Sequence, residues 1–556
     1  MAVVTPNDPV AQLLKEYDYL KNGRSNWENY WQQIADLMVP RRSDFTVRHS
    51  PGQERRNKIF DSTPSRALTR FASGLHNILT PSAAPWFVLK PAFRPLENNR
   101  SVQLWLEEVQ KLVQEEFGKP GSNFHPAAYE YFTDLGAFGT AVMFVEDIPG
   151  QGPYFRHFPL SDCMLATNSL GKIDTVFRAY KQTAKELVER FPVDSLPEKV
   201  LKAMEKGSIY DSFDMIHVVK PYESLKPGPM LAVKKPWVSL HICKDQNMMV
   251  GMNGYDEFPY VCSRWSRNAL EIYGRGPGTD ALADVRMLNE MEKTFLKGVH
   301  KAVSPPLMVP DDGFLAPIRT TPDAINYYRP GFQGNEMIFQ MPSVGRIEYA
   351  EAKMTQVREA ISQTFYLDLL ELPGPVASDG DVLRFTATEI AMRQRDRLIV
   401  LGPIVARQEA EFLGPLLDRT MKVMTRAGKL PFPPEELGNI DFRIEYVNPV
   451  AVSMRSVELN AISQLMQFIM PLAQIDPEVI GRLNTSRITE LGAEILRAPA
   501  SAVYTEEEAR IIAQQKQQEQ QQLMQADMEL NDAEVASKRA SAMESMAKAQ
   551  KESAAA

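Results

Sequence analysis

Apolar residues recur at steps of three and four in several segments of the chain, the spacing that predicts amphipathic helices with one buried face. Near the start of the sequence this pattern predicts helices around residues 27–37, 68–78 and 101–117. The second of them follows Asp61-Ser62-Thr63-Pro64, in which a capping hydroxyl before a proline at the first helical position predicts a helix start. The stripes of the first two helices are Trp27, Trp31, Ile34 and Leu37, and Leu68, Phe71, Leu75 and Ile78.

From about Thr140 the pattern changes to short runs rich in β-branched and aromatic residues, separated by Pro, Gly and Asn. Such runs predict strands. We therefore predict an α+β body with a mostly antiparallel sheet. The predicted strands are TAVMFV, YFRHF, IDTVFRAY, DMIHVV, WVSLHIC and FPYVCSRW.

Two long helices, separated by a compact non-helical excursion, are predicted in the middle of the chain. The first follows YGRGPG (Tyr273 to Gly278), extends for about 25 residues or roughly 37 Å, and ends at Ser304-Pro305-Pro306. About 40 residues rich in Pro, Gly and Asp separate it from the second helix, so the pair predicts a stalk with a tip. The apolar stripes are Leu282, Val285, Leu288, Met291, Phe295 and Val299 in the first helix, and Met354, Val357, Ile361, Phe365 and Leu369 in the second.

A loop and a third long helix are predicted next. Segment 373–385 is rich in Gly, Pro, Ser and Asp, which predicts a solvated loop. Thr386 and Glu389 form a T-x-x-E capping box, which predicts the start of a helix that runs to about Gly428. Pro403 and Pro415 lie inside this helix, and because each removes a helical hydrogen bond, a kink or break is predicted at both.

The C-terminal part of the chain is predicted to be mostly helical. Residues 441–447, DFRIEYV, alternate like one more strand, and helices are predicted around 456–468 and 485–496. Residues 501–556 contain no Gly or Pro and show no sustained heptad pattern. Two alternatives fit this tail, which are a weakly amphipathic helix that orders beside neighbouring copies, and a frayed end.

The composition predicts a folded protein made in a reducing compartment, without a membrane partner. The chain has 556 residues, of which 44% are hydrophobic and 24% charged, and it has no secretory signal and no apolar stretch near the ~20 residues that span a bilayer. Its three cysteines have no CxxC spacing. The net charge of −8 argues against tight duplex binding, which depends on neutralising phosphates with Lys and Arg.

The sequence contains no signature of a catalytic or phosphate-binding site. GxxxxGK[ST], HExxH and GxSxG are absent, and YGRGPG lacks the required Lys and hydroxyl, so it is interpreted as a structural turn. His241 and Cys243 would share one strand face without a third metal ligand. The pairs Asp311-Asp312 and Asp379/Asp381 lie in loops without a supporting Lys or His. No enzyme activity, catalytic residue, metal or cofactor is predicted.

Two basic groups are candidates for phosphate or partner contacts. The alternative, which is the usual state of such groups, is that they are solvated or paired with acids such as Glu54, Asp61, Glu389 and Asp396. The first group comprises Arg41, Arg42, Arg48, Arg55, Arg56 and Lys58, and the second comprises Arg393, Arg395 and Arg397.

Five motifs carry a family resemblance, and they occur in order along about residues 10–500: RRNKIFDSTP, LHNILTPSAAPWF, YGRGPG, FTATE and LGP. Together they resemble the head-to-tail connector, or portal, proteins of podoviruses related to phage T7. The motif positions we single out are Tyr273, Gly274, Gly276, Pro277, Gly278, Thr386 and Glu389.

The resemblance implies a mainly helical α+β portal fold and a closed ring, typically of twelve copies. This ring would lie at the unique portal vertex between capsid and tail of a virion that is assembled in the host cytoplasm. The implied segments are a wing at 1–276, a first stem helix at 277–304, a clip at 305–345, a second stem helix at 346–372, a tunnel loop at 373–385, a long kinked helix at 386–428, completion of the wing and crown at 429–500, and a tail at 501–556.

Partners also follow from the resemblance. Double-stranded DNA would be packaged, retained and ejected through the channel. The terminase motor would dock on the clip before tail adaptors replace it, and major capsid, scaffolding and internal core proteins would also contact the ring. Arg384 is the candidate for touching phosphates, and Asp379 and Asp381 are candidates for repelling them. Packing within the stem and ring is assigned to Leu282, Val285, Leu288, Phe295, Val357, Ile361 and Phe365.

Two other classes of protein are weighed against this interpretation. A nuclease or ATPase of the packaging machinery would hydrolyse its substrate, and a capsid or scaffold protein would form shells or filaments instead of closed rings.

Overall fold

Helices alternate with sheets along the chain, and most strands lie between residues 140 and 264. In this computed structural model, the residues described are 9–50, 52–55, 57–93, 96, 99–224, 235–310, 319, 321, 324–328, 339–340, 347–370, 401–436, 442–447, 461–469, 471, 484–496, 504 and 506–553.

The helices that the apolar stripes predicted near residues 27–37, 68–78 and 101–117 are present. Their neighbour α5 was not predicted. Ten of its fifteen residues are buried, so its apolar residues are too widely spread around the helix to form a narrow stripe. The described helices are α1 (Pro9–Gly23), α2 (Ser25–Met38), α3 (Thr63–Leu79), α4 (Arg100–Gly118), α5 (Phe124–Phe138), α6 (Ala184–Arg190), α7 (Glu198–Glu205), α8 (Pro277–Val303), α9 (Ile347–Thr364), α10 (Leu367–Leu370), α11 (Gly414–Arg426), α12 (Thr485–Leu496) and α13 (Glu506–Ser553), with further helix at 401–408 and 461–469.

The start of α3 differs from the prediction in its cap. Ser62 makes no capping hydrogen bond through its side chain, and Pro64 is the second residue of the helix. The Oδ1 atom of Asp61 accepts the hydrogen bond from the backbone N–H of Thr63 instead, at 2.7 Å. A carboxylate therefore takes the role that was predicted for a hydroxyl.

The body contains two antiparallel sheets, as predicted. One has the strand order β4-β5-β6-β7-β8, and the other has the order β3-β2-β9. Six of the described strands, β1, β4, β8, β10, β11 and β12, were not predicted. The strands are β1 (Phe87–Pro91), β2 (Thr140–Ile148), β3 (Gly152–Phe158), β4 (Cys163–Thr167), β5 (Ile173–Thr183), β6 (Ser212–Pro221), β7 (Trp237–Cys243), β8 (Met248–Tyr255), β9 (Tyr260–Arg264), β10 (Leu307–Pro310), β11 (Ile325–Tyr328), β12 (Phe339–Gln340) and β13 (Phe442–Tyr446).

Helices cover both faces of the five-stranded sheet. On one face, α1 contributes Leu13 and Tyr17 to a cluster that includes Phe177 of β5. On the other face, α6 and α7 pack against a second cluster that includes Cys243. Because both faces are buried, the strands of this sheet read as nearly continuous apolar runs.

The pair His241 and Cys243 belongs to this packed interior. The His241 ring stacks on the His217 ring with centroids 4.3 Å apart, and its Nδ1 atom lies 3.1 Å from the Tyr180 hydroxyl. Among the described residues, no group of three or more His, Cys, Asp or Glu side chains is arranged to hold a metal ion.

The excursion between α8 and α9 contains β-structure where it is described. Strand β10 pairs in parallel with β11 and antiparallel with β12. A separate two-stranded sheet contains β1 and β13, the latter from the predicted DFRIEYV strand.

Both prolines of the predicted third helix lie in helical chain. Residues 401–408 are helical through Pro403, and α11 contains Pro415 near its start. Of the two predicted alternatives, a kink or a break, the break is therefore wrong for these described residues, and a kink at Pro403 stays a prediction. The disturbance before Pro415 takes the form of a π-helical segment, Glu409–Leu413, which is a known way to accommodate a missing backbone hydrogen bond.

Two compact units make up the chain. One comprises Met1–Val88, Val109–Pro431 and Ile444–Ser453, and it contains the two body sheets and the α8/α9 pair. The other comprises Leu89–Glu108, Phe432–Arg443 and Met454–Ala556, and its longest element is the helix α13. The finer division into wing, stem, clip and crown stays a prediction.

Several predicted features lie outside the described residues. They are the loop 373–385 with Asp379, Asp381 and Arg384, the capping box Thr386 and Glu389, the second basic group at Arg393, Arg395 and Arg397, and Asp311-Asp312. Within the part of the chain that is described, no helix has the length and apolar character needed to cross a bilayer.

Candidate functional site

The candidate site is the pair of helices α8 and α9 together with the segments that hold their base. In α8 the stripe residues Leu282, Val285 and Leu288 are each no more than 2% exposed. In α9 the stripe residues Val357 and Ile361 are likewise buried. The base of the helix pair is therefore part of the core of the chain itself.

The distal half of α8 is different. Phe295 is only partly buried, Leu296 is 38% exposed and Val303 is 78% exposed. The sequence pattern is continuous along the helix, whereas burial within a single copy ends near Asn289. Any packing between copies, which remains a prediction, is therefore assigned to the distal half rather than to Leu282, Val285 and Leu288.

The second helix is interrupted near its end. It stops at Thr364 and resumes as the short α10, and Tyr366 between them has a φ of 54°. The buried Phe365 lies beside Phe71 of α3, with ring centroids 6.1 Å apart. A continuous helix over 346–372 was predicted, and this is wrong at Tyr366.

The motif YGRGPG forms the root of α8 by close contact with the end of α5. Gly139 ends α5 with a φ of 73°, and a Cβ atom there would overlap the backbone of Arg275 and Gly276. A Cβ on Gly276 would lie 2.7 Å from the Leu135 carbonyl oxygen, and one on Gly278 would lie 2.5 Å from a carbonyl of α5. The glycines are present because two backbones touch.

Three successive N–H groups of this turn are already used within the chain. Gly274 donates to the Thr140 hydroxyl at 2.8 Å, Arg275 donates to the Ser266 carbonyl at 2.8 Å, and Gly276 donates to the Thr279 hydroxyl at 3.3 Å. A phosphate-binding loop needs free N–H groups. The interpretation of YGRGPG as a structural turn is confirmed.

Tyr273 fixes this turn to the rest of the core. Its hydroxyl accepts a hydrogen bond from the backbone N–H of Leu165 at 3.1 Å. Its ring packs edge-on against Trp31 at 5.0 Å and lies 6.0 Å from Trp27. The first predicted helix and the root of α8 therefore share one aromatic cluster.

The motif RRNKIFDSTP connects both helices of the pair to α3. Asn289 of α8 accepts a hydrogen bond from the Phe60 N–H at 2.8 Å and donates to the Lys58 carbonyl at 3.0 Å. Arg358 of α9 lies 2.8 Å from Asp61 and 3.0 Å from Glu292 of α8. A single guanidinium thus joins three segments of the chain.

The charge state of Asp61 follows from these contacts. Burial of the carboxyl would raise its pKa, but hydrogen bonds from Thr63 and Arg358 outweigh burial and lower the pKa below 3.8. Asp61 is therefore ionised at neutral pH, and its interaction with Arg358 is charge-assisted.

We expect Arg358→Met to lower the free energy of unfolding by about 1–2 kcal/mol, because Asp61 is buried and would lose its cation. The Asp61 pKa is depressed in the folded chain. The stability that the Asp61–Arg358 pair contributes is therefore present above pH 3.8 and is lost as the pH falls through the lower pKa of the folded chain. Urea denaturation at pH 7 and at acid pH measures both effects.

The matched control is Lys353→Met, which removes an exposed cation from the same helix. It should change stability by less than about 0.5 kcal/mol. Equal losses for the two variants would contradict the assignment.

Three members of the first basic group form ion pairs within the chain, and Arg56 lies outside the described residues. Arg42 pairs with the buried Asp134, and Arg55 pairs with Asp44 at 2.8 Å. Lys58 pairs with Asp36 at 2.7 Å. Pairing with local acids is confirmed, although the acids differ from the predicted Glu54 and Asp61.

The residues that sequence reasoning missed here are Asn289, Arg358, Asp134 and Gly139. Asn289 and Asp134 carried a usable signal, since each is a polar residue within an otherwise apolar helical face. Neither Arg358 nor Gly139 has a local sequence signal of its role, because the residues that each contacts are distant in sequence.

Comparison with known proteins gives one family and several relatives. Residues 10–504 match the family described as bacteriophage head to tail connecting protein. The chain is 28% identical over 529 residues to the probable portal protein of Bordetella phage BPP-1, covering 95% of this chain and 94% of that protein. It is 27% identical over 514 residues to the portal protein of Salmonella phage epsilon15, covering 91% and 90%. It is 21% identical over 431 residues to the portal protein of Enterobacteria phage T3, covering 76% and 75%.

Proposed function

The chain belongs to the family of bacteriophage head to tail connecting proteins, and from this membership we propose that it is the portal of its virion. Identical copies form a closed ring at one vertex of the capsid. Double-stranded DNA enters, is retained and leaves through the channel of that ring. The observation that carries the proposal is the family match, which extends over residues 10–504 and so includes α8, α9 and the segments at their base.

The form of the helix pair supports a ring. A head-to-tail interface that closes generates a cyclic assembly, and it needs two different surfaces on each copy. The distal half of α8 keeps apolar side chains at least partly exposed, among them Leu296 and Val303, while its base is buried in the core. A rigid base with an uncovered distal half is the arrangement expected if neighbouring copies complete the packing.

The charge of the assembly favours passage of DNA over static binding. Each copy carries −8, so a ring of about twelve copies would carry about −96. Repulsion acts over a Debye length of about 8 Å at physiological salt, so the duplex is held away from most of the wall. DNA can then slide.

The partners follow from position in the virion. In this proposal the excursion between α8 and α9, residues 305–345, is the clip on which the packaging motor docks and which tail adaptors then occupy. Major capsid, scaffolding and internal core proteins contact other faces of the ring. The portal acts as a structural channel, and the hydrolysis that drives packaging belongs to the motor.

The experiment that tests the function is packaging in assembled capsids. Capsids built with the chain are expected to fill with DNA when motor and ATP are added, and capsids built without it are expected to remain empty. Equal filling of both preparations would reject the portal function.

The segment 373–385 is proposed as a tunnel loop that narrows the channel, with Arg384 touching phosphates and Asp379 and Asp381 repelling them. Replacing residues 376–381 with a Gly-Ser linker should leave rings intact and lower the amount of DNA packaged or retained, because a flexible neutral linker cannot hold the constriction. The fraction of filled heads, counted by electron microscopy, measures the effect.

The control replaces residues 225–230, a Pro- and Gly-rich segment of equal length, with the same linker. Normal filling and retention by the 376–381 variant would show that the loop is an ordinary solvated segment.

A further inference from the structure

One face of α8 carries a row of cations that the core does not use. Arg286, Lys293, Lys297 and Lys301 follow one another at steps of seven, four and four residues. At about 100° per residue these positions fall within an arc of about 80°, and at 1.5 Å per residue they span about 22 Å. We call these four residues the basic stripe.

The basic stripe faces away from the second helix. Glu292, which pairs with Arg358 of α9, lies about 140° around α8 from the centre of the stripe. Arg286 and Lys297 are exposed, and Lys293 and Lys301 are partly exposed. A Cβ added at Gly298, next to Lys297, would meet no atom within 4 Å. The stripe is therefore open to a partner.

Part of the charge of the stripe is offset by the exposed acid Glu290, which falls within the same arc of the helix. Lys293 pairs with Glu290 at 3.1 Å, whereas Arg286, Lys297 and Lys301 form no ion pair with any residue that the structure describes. Four cations and one acid leave this face with a net excess of about three positive charges, in a chain whose net charge is −8. A positive excess along one helical face is the kind of surface that attracts the phosphates of a nucleic acid.

The outer side of α9 does not offer such a row to the α8 of another copy. Its exposed charged side chains in the described part of the helix are Glu351, Lys353 and Glu359, which alternate in sign. Duplex DNA, in contrast, presents one negative charge per about 1.7 Å of its axis, or about 13 charges over 22 Å. Charge complementarity therefore favours a duplex over a second copy as the partner of the basic stripe.

We propose that the basic stripe contacts the phosphate backbone of duplex DNA as the duplex passes along the α8/α9 pair. This proposal rests on the portal function and deepens it by naming the residues that touch the cargo. Four cations per copy neutralise only part of the charge alongside them, so the contact guides the duplex without gripping it. The attraction of the stripe offsets the repulsion from the acidic remainder of the ring.

The test uses the full-length chain assembled under its own ring-forming conditions and a fluorescently labelled 30-base-pair duplex. The variant Arg286→Gln/Lys297→Gln/Lys301→Gln removes the three unpaired cations, and Gln preserves helix propensity. The control variant Lys21→Gln/Lys111→Gln/Lys206→Gln removes three exposed lysines elsewhere in the same compact unit. Anisotropy titrations over a range of salt concentrations give the affinity and its salt dependence.

We expect the stripe variant to bind the duplex at least about tenfold more weakly than wild type at low salt. Its plot of log affinity against log salt should also be shallower, by about 0.9 for each phosphate that the variant no longer neutralises. The control should stay close to wild type. Unchanged affinity and slope in the stripe variant would overturn the proposal.

Ring formation, checked by imaging before each titration, separates the remaining outcomes. If wild type forms rings and the stripe variant does not, the stripe binds a neighbouring copy, and the DNA proposal is overturned while the portal function stands. If wild type itself forms no rings, the portal function fails first, and this proposal fails with it.

Discussion

Asp134→Asn is expected to lower the free energy of unfolding by about 3–5 kcal/mol, the range for removing one partner of a buried ion pair. The Asp134 side chain is 0% exposed, accepts a hydrogen bond from Arg42 and has its Oδ2 atom 2.9 Å from the Nε2 atom of His157. Burial would raise the Asp134 pKa, but the interactions with Arg42 and His157 outweigh burial and lower it. Without the carboxylate, the Arg42 guanidinium would be left without its counter-charge.

Two comparisons separate this buried pair from charge effects in general. Asp214→Asn removes one partner of an exposed pair, in which Lys181 lies 3.7 Å away, and should cost less than about 1 kcal/mol. The double variant Arg42→Met/Asp134→Leu removes both charges and should be less destabilised than Asp134→Asn alone. Urea denaturation of the three variants measures the differences, and equal losses for Asp134→Asn and Asp214→Asn would refute the assignment.

Gly139→Ala is the second substitution with a large expected effect. It should lower the free energy of unfolding by about 3 kcal/mol or more. One part of the cost is the left-handed backbone, since φ is 73° at this position. The larger part is overlap, because the new Cβ would meet the backbone of Arg275 and Gly276 at the root of α8, and backbone atoms cannot move aside as a flexible side chain does. We expect a lower melting temperature and loosened packing of α8.

Gly207→Ala is the matched control for this substitution. Gly207 has a φ of 78° and also follows the end of a helix, but a Cβ there would meet nothing within 4 Å. Gly207→Ala should therefore lower the free energy of unfolding only by the cost of the left-handed backbone, about 1 kcal/mol. If Gly139→Ala is no more destabilising than Gly207→Ala, the contact between α5 and the YGRGPG turn does not hold the base of the helix pair.

Periodicity located the helices and strands with strong one-sided patterns. The stripe from Leu282 to Val299 predicted α8, which is found at Pro277–Val303. The β-rich runs and the alternating run DFRIEYV predicted seven of the strands. Local patterns are reliable there because the spacing of buried residues is set by helix or strand geometry. The same rule failed for α5, in which ten of the fifteen residues are buried and only one narrow face is exposed.

Contacts between distant segments were beyond reach of the sequence. The pairing of Asp61 with Arg358 joins residues about 300 positions apart, and nothing in either neighbourhood specifies the other. Similarly, YGRGPG could be interpreted as a turn, but the need for its glycines depends on the approach of Gly139 from another helix. The point along α8 at which burial ends could not be predicted either. The apolar stripe continues without change from the buried base into the exposed distal half.

Electron microscopy of the purified full-length chain tests the central claim most directly. We predict closed annular particles with a central opening, formed by side-by-side association of identical copies. A field of single molecules, or of filaments that never close, under conditions in which other members of the family assemble into rings, would contradict the account.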